Sequence, residues 1–335
     1  MSAGLYAGLL RPALFALPAD TSARLGEAAL RAWPAWALAD RLQRLSAPQP
    51  GLAMRFAGVE IASPVGLAAG FDKNADMLPA LSRLGFGFLC VGTIMPKPRV
   101  GNPRPRLLRL PQQEGLRDSM GLPGKGCAHV VDRLRAYRRG GGRVPVFANV
   151  GGFTADELAE TANRVAPHAD AIELSLICPN IRRDGAPFDA LGRLKAVLPR
   201  LDIDPGRVVL RVPNDVADEP DRFAALIEAA VAGGLGGLKV GGGSTTPEPR
   251  LASGAGTLHG APIRRRALHN VALAGHVARG RIPIKGNGGI GSAADVRRML
   301  AAGAVCVDLY TAFVYRGWTL ARDIARELAA DAPPG

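Results

Sequence analysis

The sequence predicts an α/β protein of the (β/α)8, or TIM-barrel, class with an N-terminal helical extension. Three observations lead there. Eight short apolar runs alternate with helix-like segments, small or polar residues gather just after those runs, and one run ends abruptly in Cys178-Pro179-Asn180. Strict strand–helix alternation argues for a parallel sheet, and eight repeats in a chain of 335 residues suit a single closed barrel.

The runs are Pro64–Ala68, Phe86–Gly92, Val144–Val150, Asp170–Ile177, Arg207–Val212, Leu235–Gly241, Ile282–Gly286 and Ala304–Tyr310. Each is short, apolar and bounded by turn formers, as strands are. The helix-like segments are 75–84, 124–139, 154–167, 186–200, 217–233, 262–280, 292–302 and 318–330. Thr154 ahead of Glu157, and Ser292 ahead of Asp295, have the spacing of helix N-caps. The 93–143 interval exceeds an ordinary βα loop and contains Arg106-Leu107-Leu108-Arg109-Leu110, so it reads as a partly β excursion on the catalytic face. The chain divides into an extension over 1–48 and a barrel over 49–335.

Pro179 stops its strand because it cannot donate a ladder hydrogen bond, which leaves Cys178 and Asn180 just beyond the carboxyl end. Taken alone, Cys178 is equally a buried spectator thiol. The other strand ends also carry groups that packing does not require: Gly70 with Lys73, Thr93, Asn149, Arg211, Ser244 with Thr245, Gly288-Gly289 and Tyr310-Thr311. Barrel enzymes build their sites from such βα ends. Gly286-Asn287-Gly288-Gly289-Ile290-Gly291, with Asp308 about twenty residues on, also satisfies a dinucleotide-binding pattern. It lies in the seventh strand–helix unit, where too little chain follows for a doubly wound sheet. In a barrel that loop and the next are the usual phosphate site, so Gly289, Tyr310 and Thr311 are assigned to a mononucleotide phosphate.

Four cysteines, Cys90, Cys127, Cys178 and Cys306, are too few and scattered for a disulfide scaffold, and the five histidines lack ligand spacing. Cys90 and Cys306 read as inert core, no metal is expected, and a reducing cytoplasmic setting fits. The 42 Lys+Arg against 29 Asp+Glu give a net charge of +13, spread along the chain with little aromatic interleaving. Nucleic acid is therefore not the expected partner; an anionic lipid surface, cofactor or substrate uses this charge more directly.

The first 48 residues carry an apolar patch, Leu5, Leu9, Leu10, Leu14, Phe15 and Leu17, then an Ala/Leu/Trp-rich segment from Ser22 to Leu45. Arg11-Pro12 interrupts the apolar run, which counts against a signal peptide, and neither part offers about 18 uninterrupted apolar residues for a bilayer span. Two readings stay open: short amphipathic helices lying peripherally on the inner face of a membrane, and a helical cap on the barrel bottom.

Over most of its length the sequence resembles the dihydroorotate dehydrogenases, FMN barrels of pyrimidine synthesis, and is closest to their membrane-associated, quinone-reducing class. Ala68-Ala69-Gly70-Phe71-Asp72-Lys73 resembles the first flavin loop, whose lysine also reaches the substrate. Gly92-Thr93-Ile94-Met95-Pro96-Lys97-Pro98 and Gly101-Asn102-Pro103-Arg104-Pro105-Arg106-Leu107 resemble the second. Asn149 matches a flavin-site asparagine, and Leu258-His259-Gly260-Ala261-Pro262, Gly288-Gly289 and Leu309-Tyr310-Thr311-Ala312 match phosphate-binding elements. Leu10-Arg11-Pro12-Ala13-Leu14-Phe15 is similar to the start of the extension that forms the quinone tunnel.

The resemblance implies FMN held by Ala69, Gly70, Lys73, Thr93, Asn149, Arg211, Gly260, Gly289, Tyr310 and Thr311. It implies a substrate on Lys73, Asp118, Ser175, Asn180, Ser244 and Thr245, and a quinone near Arg24, Arg109 and Tyr310. It also implies proton abstraction by Cys178 where the quinone class has serine, with hydride passing to the flavin. A thiol, with an unperturbed pKa near 8.5, suits a base better than a hydroxyl does. Only Asn180 remains clearly of the four asparagines that surround orotate in the family; Asp118, Ser175 and either Ser244 or Gly242 stand at the other positions. An ionised Asp118 about 4 Å from a substrate carboxylate would oppose binding by roughly 1–4 kcal/mol. Three functions therefore stand: oxidation of dihydroorotate or a near analogue, the same flavin chemistry on a different heterocycle, and a non-catalytic flavin- or membrane-binding relative.

Overall fold

A computed structural model describes residues 2–176, 189–214 and 216–331. Eight parallel strands close a barrel, and each pairs with its neighbours in chain order. They are β1 (Val65–Asp72), β2 (Phe88–Ile94), β3 (Val146–Val150), β4 (Ala171–Ser175), β5 (Val208–Arg211), β6 (Gly237–Val240), β7 (Ile284–Asn287) and β8 (Cys306–Leu309). All eight lie where the apolar runs predict them.

Alternation along each strand sorts the side chains into two cores. Outward residues such as Leu67, Leu89, Ala148, Ile172, Leu210, Leu238 and Val307 pack with the surrounding helices. Inward residues Phe88, Cys90, Phe147, Ala171, Val209 and Cys306 form a separate cluster inside the barrel. A hairpin, Met54–Phe56 with Val59–Ile61, plugs the amino-terminal end and inserts Phe56. Phe147 stacks between Phe56 and Phe88, with ring centroids 5.9 and 5.1 Å away. Two glycines make room for these rings. A Cβ at Gly66 would stand 2.2 Å from the Phe88 ring, and one at Gly237 would stand 2.6 Å from Phe56.

The helices follow the predicted positions, with shorter ends. Thr154 accepts from the Glu157 amide at 3.1 Å while Glu157 accepts from Phe153, a reciprocal cap, and Ser292 accepts from Asp295 at 3.2 Å. The first barrel helix shrinks to Leu78–Leu81 because Ala75 adopts a left-handed conformation, φ 57°, in the turn that precedes it. A short helix at Thr311–Arg316, directly after β8, was not expected.

The excursion after β2 is partly β, as predicted. Leu107–Leu110 and Gly115–Asp118 form a hairpin, joined by Ala255–Gly260 and Ser244–Pro247 from the β6 loop into a four-stranded antiparallel sheet.

The bottom-cap reading of the N-terminus is overturned, because the hairpin already closes that end. The extension packs beside the catalytic rim instead. Tyr6 donates to the Val314 carbonyl, Phe15 meets Tyr315 edge-on at 5.2 Å, and Asp20 lies between Arg104 and Arg106 at 3.5 and 3.6 Å. Its two longest helices are Ala19–Arg31 and Trp33–Gln43.

The floor makes a testable demand on shape. Gly66→Ala should lower stability by about 1–3 kcal/mol through overpacking, read from the urea midpoint, and Phe88→Leu in the same chain should recover part of it. A single variant with the wild-type midpoint would mean that Phe88 does not need that space.

Candidate active site

The carboxyl ends of the strands, the four-stranded sheet and the helix Ala19–Arg31 enclose one cavity. Eleven of the residues expected at the site line it: Ala69, Gly70, Lys73, Thr93, Asp118, Asn149, Arg211, Gly260, Gly289, Tyr310 and Thr311. Backbone geometry explains two of the glycines. Gly260 has φ 89° and a Cβ there would stand 2.4 Å from the Glu114 carbonyl; Gly289 has φ 72° and would meet the Arg264 backbone and Cβ.

Other expected residues stand outside the lining. Ser175 is buried and accepts from Arg211 Nη1 at 3.3 Å. Ser244 and Thr245 belong to the outer strand of the sheet, where Thr245 is exposed and bonds Thr257, which does line the cavity. Arg24 is exposed between Ala23 and Glu27, both at the mouth. Arg109, expected near a quinone, donates to the Leu14 and Leu17 carbonyls and lies 4.6 Å over the Phe15 ring. A guanidinium with several fixed donors suits that clamp on the extension. Cys178 and Asn180 lie outside the described residues.

At the upper wall, antiparallel pairing puts Asp118 opposite Thr257, so His259, two residues on, shares its face. Asp118 Oδ2 lies 3.3 Å from His259 Nε2. Burial works to raise the Asp118 carboxyl, yet His259 and then Lys73 outweigh it and hold the group below the usual carboxylate range. Lys73 donates to the Gly70 carbonyl at 2.6 Å; burial pushes its ammonium down, opposed by Glu27 and Asp118. Burial also raises the Tyr310 hydroxyl, which therefore remains neutral.

Beneath the cavity the barrel interior is ionic. Glu173 of β4, Lys239 of β6, Lys285 of β7 and Asp308 of β8 are all buried. Glu173 Oε1 lies 3.2 Å from Lys239 Nζ and Oε2 lies 2.7 Å from Lys285 Nζ. Asp308 Oδ2 lies 2.9 Å from Lys239 Nζ and 3.2 Å from Lys285 Nζ. Desolvation opposes every one of these charges. Lys239 and Lys285 nevertheless drive the Glu173 carboxyl far below its ordinary range, and Lys285 is raised well above its own by Cys90, Glu173 and Asp308.

Cys90, Glu173 and Asp308 present ligand-type atoms within 4.8 Å of one another. The Lys285 ammonium stands among them, 3.3 Å from the Cys90 sulfur, and fills the role of a cation. Burial pushes the Cys90 thiol up to about 12, so it stays protonated.

Sequence reasoning passed over this layer and His259 as a partner of Asp118. The available signal was a lone charge inside each of four apolar runs: Ile172-Glu173-Leu174, Leu238-Lys239-Val240, Ile284-Lys285-Gly286 and Val307-Asp308-Leu309.

The molecule is thus a (β/α)8 barrel whose cavity, at the carboxyl ends of the strands, combines glycines in tight turns with buried polar groups. A sequence model of dihydroorotate dehydrogenase matches residues 51–331. A dihydroorotate dehydrogenase (quinone) of Roseiflexus sp. (strain RS-1) is 35% identical, over 97% of this chain and 93% of that protein. That of Acidithiobacillus ferrooxidans is 36% identical over 96% and 94%. The crystal structure of DHODH from Eimeria tenella in complex with ferulenol superposes with a TM-score of 0.74 at 28% identity, covering 85% of each chain. The chain belongs to the dihydroorotate dehydrogenase family.

The loop that carries Lys73 hangs on Asp72, a buried carboxylate that accepts from the Asp76 and Met77 amides at 3.0 and 2.9 Å. Burial raises this carboxyl to about 6 despite those bonds. The folded protein therefore holds the proton more tightly than the unfolded chain, whose value is near 3.9. The contribution of Asp72 to stability is complete below about pH 4 and is lost as pH rises through about 6. Between those limits Asp72→Asn should gain on the order of 3 kcal/mol relative to wild type, measured by urea unfolding at pH 4 and pH 7. A difference independent of pH would place the Asp72 pKa at its ordinary value.

Proposed function

We propose that this chain is an FMN-dependent dehydrogenase that oxidises dihydroorotate, or a near analogue, to the ring-unsaturated product and uses quinone as electron acceptor. The observation that carries the reading is Asn149 Oδ1. Asn149 lines the cavity and is 1% exposed, its amide donates to Glu173 Oε1 at 2.6 Å, and its carbonyl oxygen is buried without a partner among the described residues. Such an acceptor is costly to leave unpaired, and an N–H or hydroxyl of a bound flavin would satisfy it. Gly260, Gly289, Tyr310 and Thr311 would hold the phosphate, and bound FMN would supply the hydride acceptor.

The remaining chemistry falls to this chain's own groups. Cys178 takes the ring-carbon proton, and the Lys73 ammonium attracts an anionic substrate. Arg211 lines the same cavity and favours negative charge there. The repulsion expected from Asp118 is reduced, because His259 and Lys73 face it. That retained carboxylate also favours a substrate offering an N–H toward the same wall, which is the observation behind the near analogue.

Anaerobic addition of dihydroorotate should bleach the yellow of the purified protein. A flavoprotein that stays yellow with dihydroorotate acts on a different ring, and a colourless protein that takes up no FMN ends the reading. Cys178→Ala should keep its FMN while flavin reduction slows by about 10²–10⁴-fold, followed by stopped flow. An unchanged rate would place the base elsewhere, with Asp118 the next candidate.

The extension supports a peripheral membrane role for residues 1–48. Leu9, Leu38 and Leu42 are 63%, 58% and 73% exposed, and among the described residues no helix is long and apolar enough to cross a membrane. Exposed leucines on helices packed beside the cavity mouth suit an interfacial surface that admits a long-chain quinone. Deleting residues 1–48 should spare flavin reduction and sharply slow reoxidation by long-chain quinones. Equal quinone rates in the two forms would remove the extension from that step.

A further inference from the structure

Apolar side chains of similar volume fill a barrel at least as stably as buried ion pairs do, and barrel interiors ordinarily hold branched apolar residues. A layer of two carboxylates and two ammoniums therefore calls for a use. Its arrangement shows one. Arg211, Lys239 and Lys285 are ladder partners on three successive strands, β5, β6 and β7. With Glu173 and Asp308 this makes three cations against two carboxylates, an excess of positive charge under the cavity.

Within the layer Lys239 holds a distinct place. It lines the cavity, whereas Lys285 is wholly enclosed. Its ammonium has three N–H groups. Glu173 Oε1 accepts one of them at 3.2 Å, Asp308 Oδ2 is ion-paired with the ammonium at 2.9 Å, and among the described residues at least a third N–H has no partner. Glu173 Oε1 also fixes the Asn149 amide. One carboxylate oxygen thus sets both an unpaired acceptor and an unpaired donor at the same cavity floor.

We propose that Lys239 is a cofactor-contacting cation of this site, which donates its third N–H to the bound flavin and, with Arg211, stabilises the negative charge gained on reduction. Glu173 and Asp308 act as its positioning residues. The proposal rests on the FMN reading above. A cation held next to the ring raises the reduction potential by favouring the reduced form.

The test is a spectroelectrochemical titration of protein-bound FMN in wild type, Lys239→Met and Lys239→Arg, with FMN content measured after denaturation. Lys239→Met should shift the bound oxidised-to-reduced ratio at least tenfold toward oxidised, about 30 mV lower for a two-electron couple. Lys239→Arg should recover most of that shift. Should the methionine variant fail to fold, Lys239→Gln, which keeps donors for both carboxylates, is read in the same way. A purely structural lysine would lower the melting temperature and leave the potential alone. FMN-replete Lys239→Met or Lys239→Gln protein with the wild-type potential overturns this proposal, whereas a wild type that binds no FMN overturns the cofactor reading beneath it.

Discussion

The rest of the barrel depends on the mutual neutralisation of Glu173, Lys239, Lys285 and Asp308. Each ion alone would be strongly unfavourable in that interior, and removing one partner of a buried pair typically costs about 3–5 kcal/mol. Together they must be satisfied in one geometry, so β4, β6, β7 and β8 are tied across the lumen as well as through their ladders. The stacked rings of Phe56, Phe88 and Phe147 lie below and keep water from the layer. Lys285 also lies 5.3 and 5.4 Å from the Phe88 and Phe147 ring centroids, so the aromatic floor contributes to holding that charge. Above, Asn149 takes its orientation from the layer through its bond to Glu173. Apolar floor, ionic middle and polar cavity form three levels, and each depends on the one beneath.

The mouth is built by a different logic. Its walls come from segments far apart in sequence: the β2 excursion, the β6 loop and the N-terminal extension. They are held by ordinary surface chemistry. Asp76, just past β1, gathers Arg31 of the extension at 3.6 Å and Lys125, His129 and Arg133 at 2.9, 2.9 and 3.4 Å. Pairs whose cations stay partly exposed are individually weak, and networks around one carboxylate gain by sharing it. A rigid floor under a lightly tethered roof suits a site that must hold a cofactor in place while small molecules enter and leave.

The barrel was legible because strands covered on both faces read as continuous apolar runs, and all eight lie where those runs occur. The cavity was legible from glycines and polar groups at strand ends, which packing alone would not place there. What escaped had partners on other elements. Glu173 looks like an isolated charge in its own run, and only barrel closure brings Lys239 and Lys285 to it. Arg109 carries no sign in its own run of the Leu14 and Leu17 carbonyls that only the fold brings to its donors. The helix Thr311–Arg316 is six residues long, too short for its periodicity to stand out. The left-handed Ala75 that shortens the first helix has no sequence mark at all.

The charges of the site also account for the sign of what it takes. The cavity faces Lys73, Arg211, Lys239 and Arg264 against Glu27, Glu114, Asp118, Glu173 and Asp308. Count alone would make it acidic, but position matters more than count. Glu173 and Asp308 are spent on lysines at 3.2 Å or less, and Asp118 is turned toward His259. Glu114 is paired with Arg316 at 3.0 Å. Glu27 stands at the mouth, on the extension. Arg264 is paired with Asp295 at 3.0 Å, but the deeper cations are less fully spent: Lys73 is bonded to a carbonyl, Lys239 has an N–H without a partner among the described residues, and Arg211 donates to a neutral serine. An anion entering this space therefore meets the less fully paired cations at depth, beyond a carboxylate at the entrance. Which charges are paired and which are left over, more than their number, sets how this space would receive an anion.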